Sequence, residues 1–172
     1  MGTLKINKSS SLITAKKVIE LKIDAFKNLK KSINKNFDNA VNAIVNCQSK
    51  IILCGVGKSG LIATKIAATM SSVGCPAFSL SANDCLHGDL GSITRKDVLI
   101  LISNSGKSEE IIPIIKFANR NKIKLIGIVS KKSSVLYKAS DIKILLPEVK
   151  ESGLGIVPTS STSVQLAIGD AL

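Results

Sequence analysis

Residues 50–64, KIILCGVGKSGLIAT, run from an apolar stretch through closely spaced glycines straight into a helical pattern. Ile51 to Cys54 is bounded by turn residues and reads as a short strand. Gly55, Gly57 and Gly60 let the backbone turn tightly and admit a ligand against the main chain. The helix that follows presents unpaired N–H groups, which suit an anion. The stretch ISNSGKSEE, residues 102–110, repeats this strand–turn–helix plan with hydroxyls in place of most of the glycines. Two loops of this kind point to one shared anion site.

The rest of the chain alternates in the same manner. Strands are expected near 51–54, 77–81, 98–102, 124–129 and 142–146, and helices near 59–73, 108–120, 133–138 and from Thr159 to Leu172. The strand segments, such as VLILI and KLIGIV, are continuous apolar runs, the pattern of strands buried on both faces of a parallel sheet. The expected fold is an α/β three-layer sandwich with a five-stranded parallel sheet in the flavodoxin-like order 2-1-3-4-5. In that order the ligand crevice lies outside the carboxyl ends of strands 1 and 3, where the two loops are.

Two amphipathic helices precede the sheet. Ser10 or Ser11 can cap the first, over 11–31, whose apolar face comprises Leu12, Ile19, Ile23, Phe26 and Leu29. The second covers 37–48 and carries Phe37, Val41, Ile44 and Val45. Residues 1–48 are therefore expected to be a helical arm, packed on the domain of residues 49–172 or on a partner subunit. The polar residues 1–10 do not read as a signal peptide, and no apolar run reaches membrane-spanning length, so a soluble cytoplasmic protein is expected. Cys47, Cys54, Cys75 and Cys85 have no CxxC spacing and read as reduced structural thiols.

A formal net charge of +12 raises the question of nucleic acid. Arg95 and Arg120 are the only arginines and aromatic residues make up 3% of the chain, so the usual tools of base readout and base stacking are nearly missing. No nucleic-acid partner is expected. A lysine-rich surface does favour the approach of a phosphorylated metabolite.

The candidate phosphate contacts are Ser103, Asn104, Ser105 and Ser108 in the second loop, and the hydroxyl-rich helix start Thr159, Ser160, Ser161 and Thr162, which completes a cup if it faces the same crevice. Ser108 also reads as a plain helix cap. Gly57 and Ser59 belong to the first loop, where Lys58 has little choice except to face the ligand. The match to GxGxxG is weak as a dinucleotide signal, because the first acid after strand 2, Asp84, comes late. Ile52 stands where a P-loop needs glycine. His87, the only histidine, reads as a hydrogen-bonding or proton-transfer group, and Cys85-x-His87 falls short of a zinc site, so no metal is expected. Glu109, Glu110 and Glu151 are candidate bases. Phosphate, a cation and a carboxylate together suggest enolisation chemistry.

These residues resemble a known family. GVGKSG, HGDLG, SNSGKSEE, KES, PTSSTS and GDAL are similar to the sugar isomerase (SIS) domain and, within it, to the arabinose 5-phosphate isomerases. The resemblance runs from about residue 10 to the end. It implies interconversion of D-ribulose 5-phosphate and D-arabinose 5-phosphate, an early step toward the Kdo sugar of lipopolysaccharide, with no cofactor and a homotetramer. It places Lys58, His87, Glu110 and Glu151 on the family's functional positions, and Ser59, Ser103, Ser105, Ser108 and Thr159 to Thr162 on its phosphate contacts. The choice of base between Glu110 and Glu151 stays open. The family carries a further histidine beyond GDAL and often a pair of CBS modules, so the chain ending at Leu172 is expected to be an isolated or shortened domain. The same scaffold also serves as a phosphosugar-sensing module without catalysis, the alternative reading.

Overall fold

The five expected strands form in the computed structural model, which describes residues 8–153 and 155–172; the first seven residues of the predicted arm lie outside it. They are Ile51–Gly55 (β1), Ala77–Ser81 (β2), Val98–Ile102 (β3), Lys124–Val129 (β4) and Ile142–Leu145 (β5). All pair in parallel, in the order β2-β1-β3-β4-β5. The central β1 and β3 are buried along their whole length, as their unbroken apolar runs require, and the edge strands β2 and β5 are largely half-buried.

Side chains alternate across the sheet and build two core layers. Leu53, Ile100 and Ile126 point into one, and Ile52, Leu99 and Leu125 into the other. The first layer is closed by helices Lys8–Ser32 (α1), Lys35–Val45 (α2), Lys58–Ser72 (α3) and Ser160–Ala171 (α7). The second is closed by Ala82–Cys85 (α4), Ile111–Arg120 (α5) and Val135–Ala139 (α6). The three-layer sandwich expected from the sequence is the fold.

Local departures have local causes. Ser10 and Ser11 lie within the first turn of α1 rather than at its cap. The α2 cap is Asn34, whose side chain accepts from the Asn36 N–H at 2.9 Å. Between β2 and β3 the chain forms α4, capped by Ser81, and a 3₁₀ turn over Asp89–Ser92, neither of which is among the helices expected.

The single apolar face expected on α1 is in fact two. Ala25 and Leu29 are buried in the core, where α1 packs on α7. Leu12, Ile19, Ile23 and Phe26 lie on another side of the helix and are exposed, by 69, 56, 39 and 42%.

One buried charge ties the loops at the bottom of the sheet. Asp97, just before β3, is 1% exposed. Its carboxylate accepts from the Thr94 N–H at 2.6 Å, the Thr94 hydroxyl at 2.9 Å and the Lys50 N–H at 3.3 Å, and pairs with Lys50 Nζ at 3.1 Å. The entry to β1 is thereby fastened to the entry to β3.

Candidate functional site

Gly55 stands opposite Ile102 in the β1–β3 pairing, so the glycine turn and the serine loop leave the sheet side by side. A Cβ on Gly55 would lie 2.8 Å from the Ser59 carbonyl carbon and 2.9 Å from the Ile102 oxygen. This glycine therefore serves the close joint of β1, α3 and β3 rather than a ligand. Gly57, at φ +56 with open space around it, is the one that shapes the turn and presents the start of α3. Lys58 and Ser59 are the first two residues of that helix; Lys58 is exposed and Ser59 half-buried.

The serine loop is longer and more firmly held than its sequence suggests. Helix α5 starts at Ile111, three residues later than expected, and Ser108 contributes a backbone carbonyl to the Ile111 N–H instead of a side-chain cap. The cause is Gly106, at φ +62, whose carbonyl accepts from the Leu136 N–H at 3.2 Å and which packs so closely on Ser134 that a Cβ would come within 2.5 Å of its Oγ. The loop is thus seated on β4 and α6 before α5 can begin. Ser130 adds two bonds to the Asn104 carbonyl, from its N–H at 3.2 Å and its hydroxyl at 2.6 Å. Ser103 is buried and accepts from the Gly106 N–H at 3.0 Å, so it braces the loop. Asn104 and Ser105 are exposed and Ser108 is half-buried; these are the members that face outward.

The third hydroxyl-rich element holds an anion already, and the anion is the protein's own. Glu151 Oε2 accepts from the Thr159 N–H at 2.7 Å, the Thr159 hydroxyl at 3.0 Å and the Ser160 N–H at 2.7 Å, with the Ser161 N–H at 3.3 Å. The positive end of the helix dipole and three unpaired amides make this a good carboxylate seat. Thr159, Ser160 and Ser161 therefore stand in the structure as a cap for Glu151, where the sequence suggested a cup for phosphate. The Thr162 hydroxyl bonds back to the Thr159 carbonyl at 3.0 Å.

Burial alone pushes the Glu151 carboxyl up, but hydrogen bonds from Ser161, Thr159 and Ser160 outweigh it and hold the group below the usual carboxylate range. Asp97 behaves alike: burial raises it, and the bonds from Thr94, Ser49 and Lys50 lower it further than burial raises it. A carboxyl depressed in the folded state stabilises the fold above its unfolded pKa, and that contribution fades as pH falls through the folded value. The acid limb of unfolding is therefore expected below about pH 4. Glu151→Gln is expected to cost about 1–2 kcal/mol at neutral pH, the size of a lost helix cap. It should also flatten the acid limb, which urea titrations at pH 3 to 7 would read out; an unchanged limb would remove Glu151 from this role.

Glu110 has no such engagement. It occupies the position before α5, half-buried, and makes no side-chain cap bond. His87 is exposed between α4 and the 3₁₀ turn, and neither it nor Lys58 takes part in an ion pair among the described residues. A cleft of ≈ 430 Å³ opens at these strand ends, lined by Gly57, Thr64, Ser79, Ser81, Asp84 and Asp89 among others. It lies on the β2 side of the glycine turn, next to the β1 and β3 ends where the two loops leave the sheet. The structure thus brings the glycine turn, the serine loop and the start of α7 to one end of the sheet, with Ser59 donating to Gln165 Oε1 on α7 at 3.1 Å. Gln165 was not legible as a site residue, because a glutamine one turn inside an apolar helix carries no motif.

Comparison with known proteins agrees with this geometry. The SIS domain family matches residues 44–172. An arabinose 5-phosphate isomerase KdsD from Yersinia pestis is 42% identical over 158 residues, 91% of this chain and 48% of the relative. The KdsD of Francisella tularensis is 40% identical over 173 residues, 98% of this chain and 53% of the relative. The chain spans about half the length of the curated relatives it matches. Among solved structures, E. coli CFT073 c3406 in complex with arabinose 5-phosphate superposes with a TM-score of 0.91 at 34% identity, covering 96% of this chain and 89% of that one.

Proposed function

This chain belongs to the SIS domain family, and on that premise we propose that it is an aldose–ketose isomerase interconverting D-ribulose 5-phosphate and D-arabinose 5-phosphate. The observation that carries the reading is the pairing of a braced anion loop with a carboxylate, Glu110, at its far end that is not spent on capping a helix. The relatives named for this activity and the sugar-phosphate complex of a structural neighbour support it.

In this mechanism the phosphate sits on the outward amides and hydroxyls of Asn104, Ser105 and Ser108. Lys58, at the start of α3, polarises the substrate carbonyl and stabilises the enediolate oxygen. Glu110 moves the proton between C1 and C2 through a cis-enediolate. Glu151 holds the start of α7 in place, since leaving its cap to act as a base would forfeit several charge-assisted bonds at about 1.5–3 kcal/mol each. His87 assists ring opening. No organic cofactor or metal takes part, the setting is the reducing cytoplasm, and the product serves Kdo and lipopolysaccharide synthesis. Incubation with arabinose 5-phosphate should produce ribulose 5-phosphate in a ketose assay. A chain that raises no ketose signal yet is thermally stabilised by the sugar phosphate would be a sensing module instead.

The homotetramer also belongs to this proposal. The exposed α1 residues Leu12, Ile19 and Phe26, with Ile33 directly after the helix, recur every seventh position and form a stripe suited to a second copy of the chain. Ile19→Glu with Phe26→Glu is expected to shift the light-scattering mass of the eluted protein toward the monomer. No change in mass would place the subunit contact elsewhere.

A further inference from the structure

Helix α7 buries two polar groups that have no partner among the described residues, Gln165 where the helix meets the first turn of α3 and Ser160 at its own first position. Gln165 is 1% exposed, and while one end of its amide accepts from the Ser59 hydroxyl at 3.1 Å, Nε2 makes no hydrogen bond. Ser160, the first residue of α7 and 0% exposed, carries an unpartnered hydroxyl. Such groups are costly to bury, and apolar side chains pack without difficulty on the same helix at Val164 and Ile168. Polar residues here are thus a burden on the free protein, which a ligand oxygen would relieve.

Place and chemistry narrow what that ligand group is. Ser59 directly follows Lys58 and is half-buried, so the seam opens toward the glycine turn through it. The amides at the start of α7 are already taken by Glu151, so the seam is not a second anion seat. The free end of the Gln165 amide is a neutral donor, which matches the oxygen of a neutral hydroxyl group. We propose that Gln165 forms a subsite for a hydroxyl of the polyol chain of the bound sugar phosphate, a proposal that rests on the phosphosugar reading above. A buried amide with no other partner discriminates strongly against a ligand lacking that hydroxyl.

The test compares Gln165→Met with the parent chain by thermal unfolding without ligand and by calorimetric titration with arabinose 5-phosphate and with inorganic phosphate. Gln165→Met is expected to melt near the parental temperature, since it removes an unpaired buried nitrogen and the half-buried Ser59 hydroxyl that loses its acceptor can turn to water. The Kd for arabinose 5-phosphate should rise about three- to tenfold, the worth of one hydrogen bond. The Kd for inorganic phosphate should stay within about twofold, because the serine loop is intact. A Gln165→Met variant that binds arabinose 5-phosphate as the parent does would overturn the subsite alone. A parent that binds phosphate but no sugar phosphate would overturn the phosphosugar reading and the subsite with it.

Discussion

Glu110→Gln is expected to lower kcat for arabinose 5-phosphate isomerisation by about 10²- to 10⁴-fold, the usual worth of a positioned general base. KM and the melting temperature should barely move. The side chain makes no cap bond to α5, so its removal does not unfold the helix start. It is nearly isosteric with glutamine and lies outside the phosphate-bearing residues of the loop. Removing an interaction made only in the transition state lowers kcat and kcat/KM equally. Glu151→Gln should behave differently, with a modest kinetic effect and a clear stability loss. Should Glu151→Gln abolish turnover in a well-folded protein while Glu110→Gln does not, the roles assigned to the two carboxylates are reversed.

Asp97→Ala should be the most damaging single change to the fold, at about 3–5 kcal/mol, the cost of breaking a buried ion pair by removing one partner. The carboxylate is the shared acceptor of the Thr94 and Lys50 N–H groups, the Thr94 hydroxyl and Lys50 Nζ. Lys50 Nζ can regain water, since its side chain is 30% exposed, but the two backbone amides are less fortunate. A domain of this kind has only about 5–15 kcal/mol in hand, so the loss is a large share. Asp97→Asn, which keeps one acceptor, should cost less. Denaturant midpoints would measure both. A loss under about 1 kcal/mol for the alanine variant would mean that the loops are held by something other than this carboxylate.

The sheet is almost fully legible in the sequence because its signal is local. Runs such as VLILI are long enough to be strands, too short for buried helices, and apolar at every position, which fixes both their ends and their central place. The order of strands and the side-by-side exit of the glycine and serine loops follow from it. The features that escape a sequence reading depend on contacts distant in the chain. Helix α5 starts late because Gly106 is packed on Ser134, and nothing within residues 103–110 announces that contact. The two apolar stripes of α1 overlap in sequence, and only the seating of Ala25 and Leu29 against α7 separates them. Glu151 reaches across eight residues to cap α7. An acid shortly before a hydroxyl-rich helix start is a signal for such a carboxylate cap, since both the dipole and the free amides favour it. The same hydroxyls also suit a phosphate, and sequence alone does not separate the two anions.

Proton exchange at the substrate tests the isomerase account most directly. The chain would be incubated with arabinose 5-phosphate in D₂O and followed by ¹H NMR. Transfer through an enediolate by a carboxylate in contact with solvent predicts ribulose 5-phosphate carrying deuterium at C1 and, through the reverse reaction, deuterium at C2 of the remaining arabinose 5-phosphate, and both should vanish in Glu110→Gln. Ketose formation with the substrate's C2 proton carried entirely to C1 and no deuterium taken up would contradict an exchangeable base. Neither exchange nor ketose from a folded chain that binds the sugar phosphate would contradict catalysis itself.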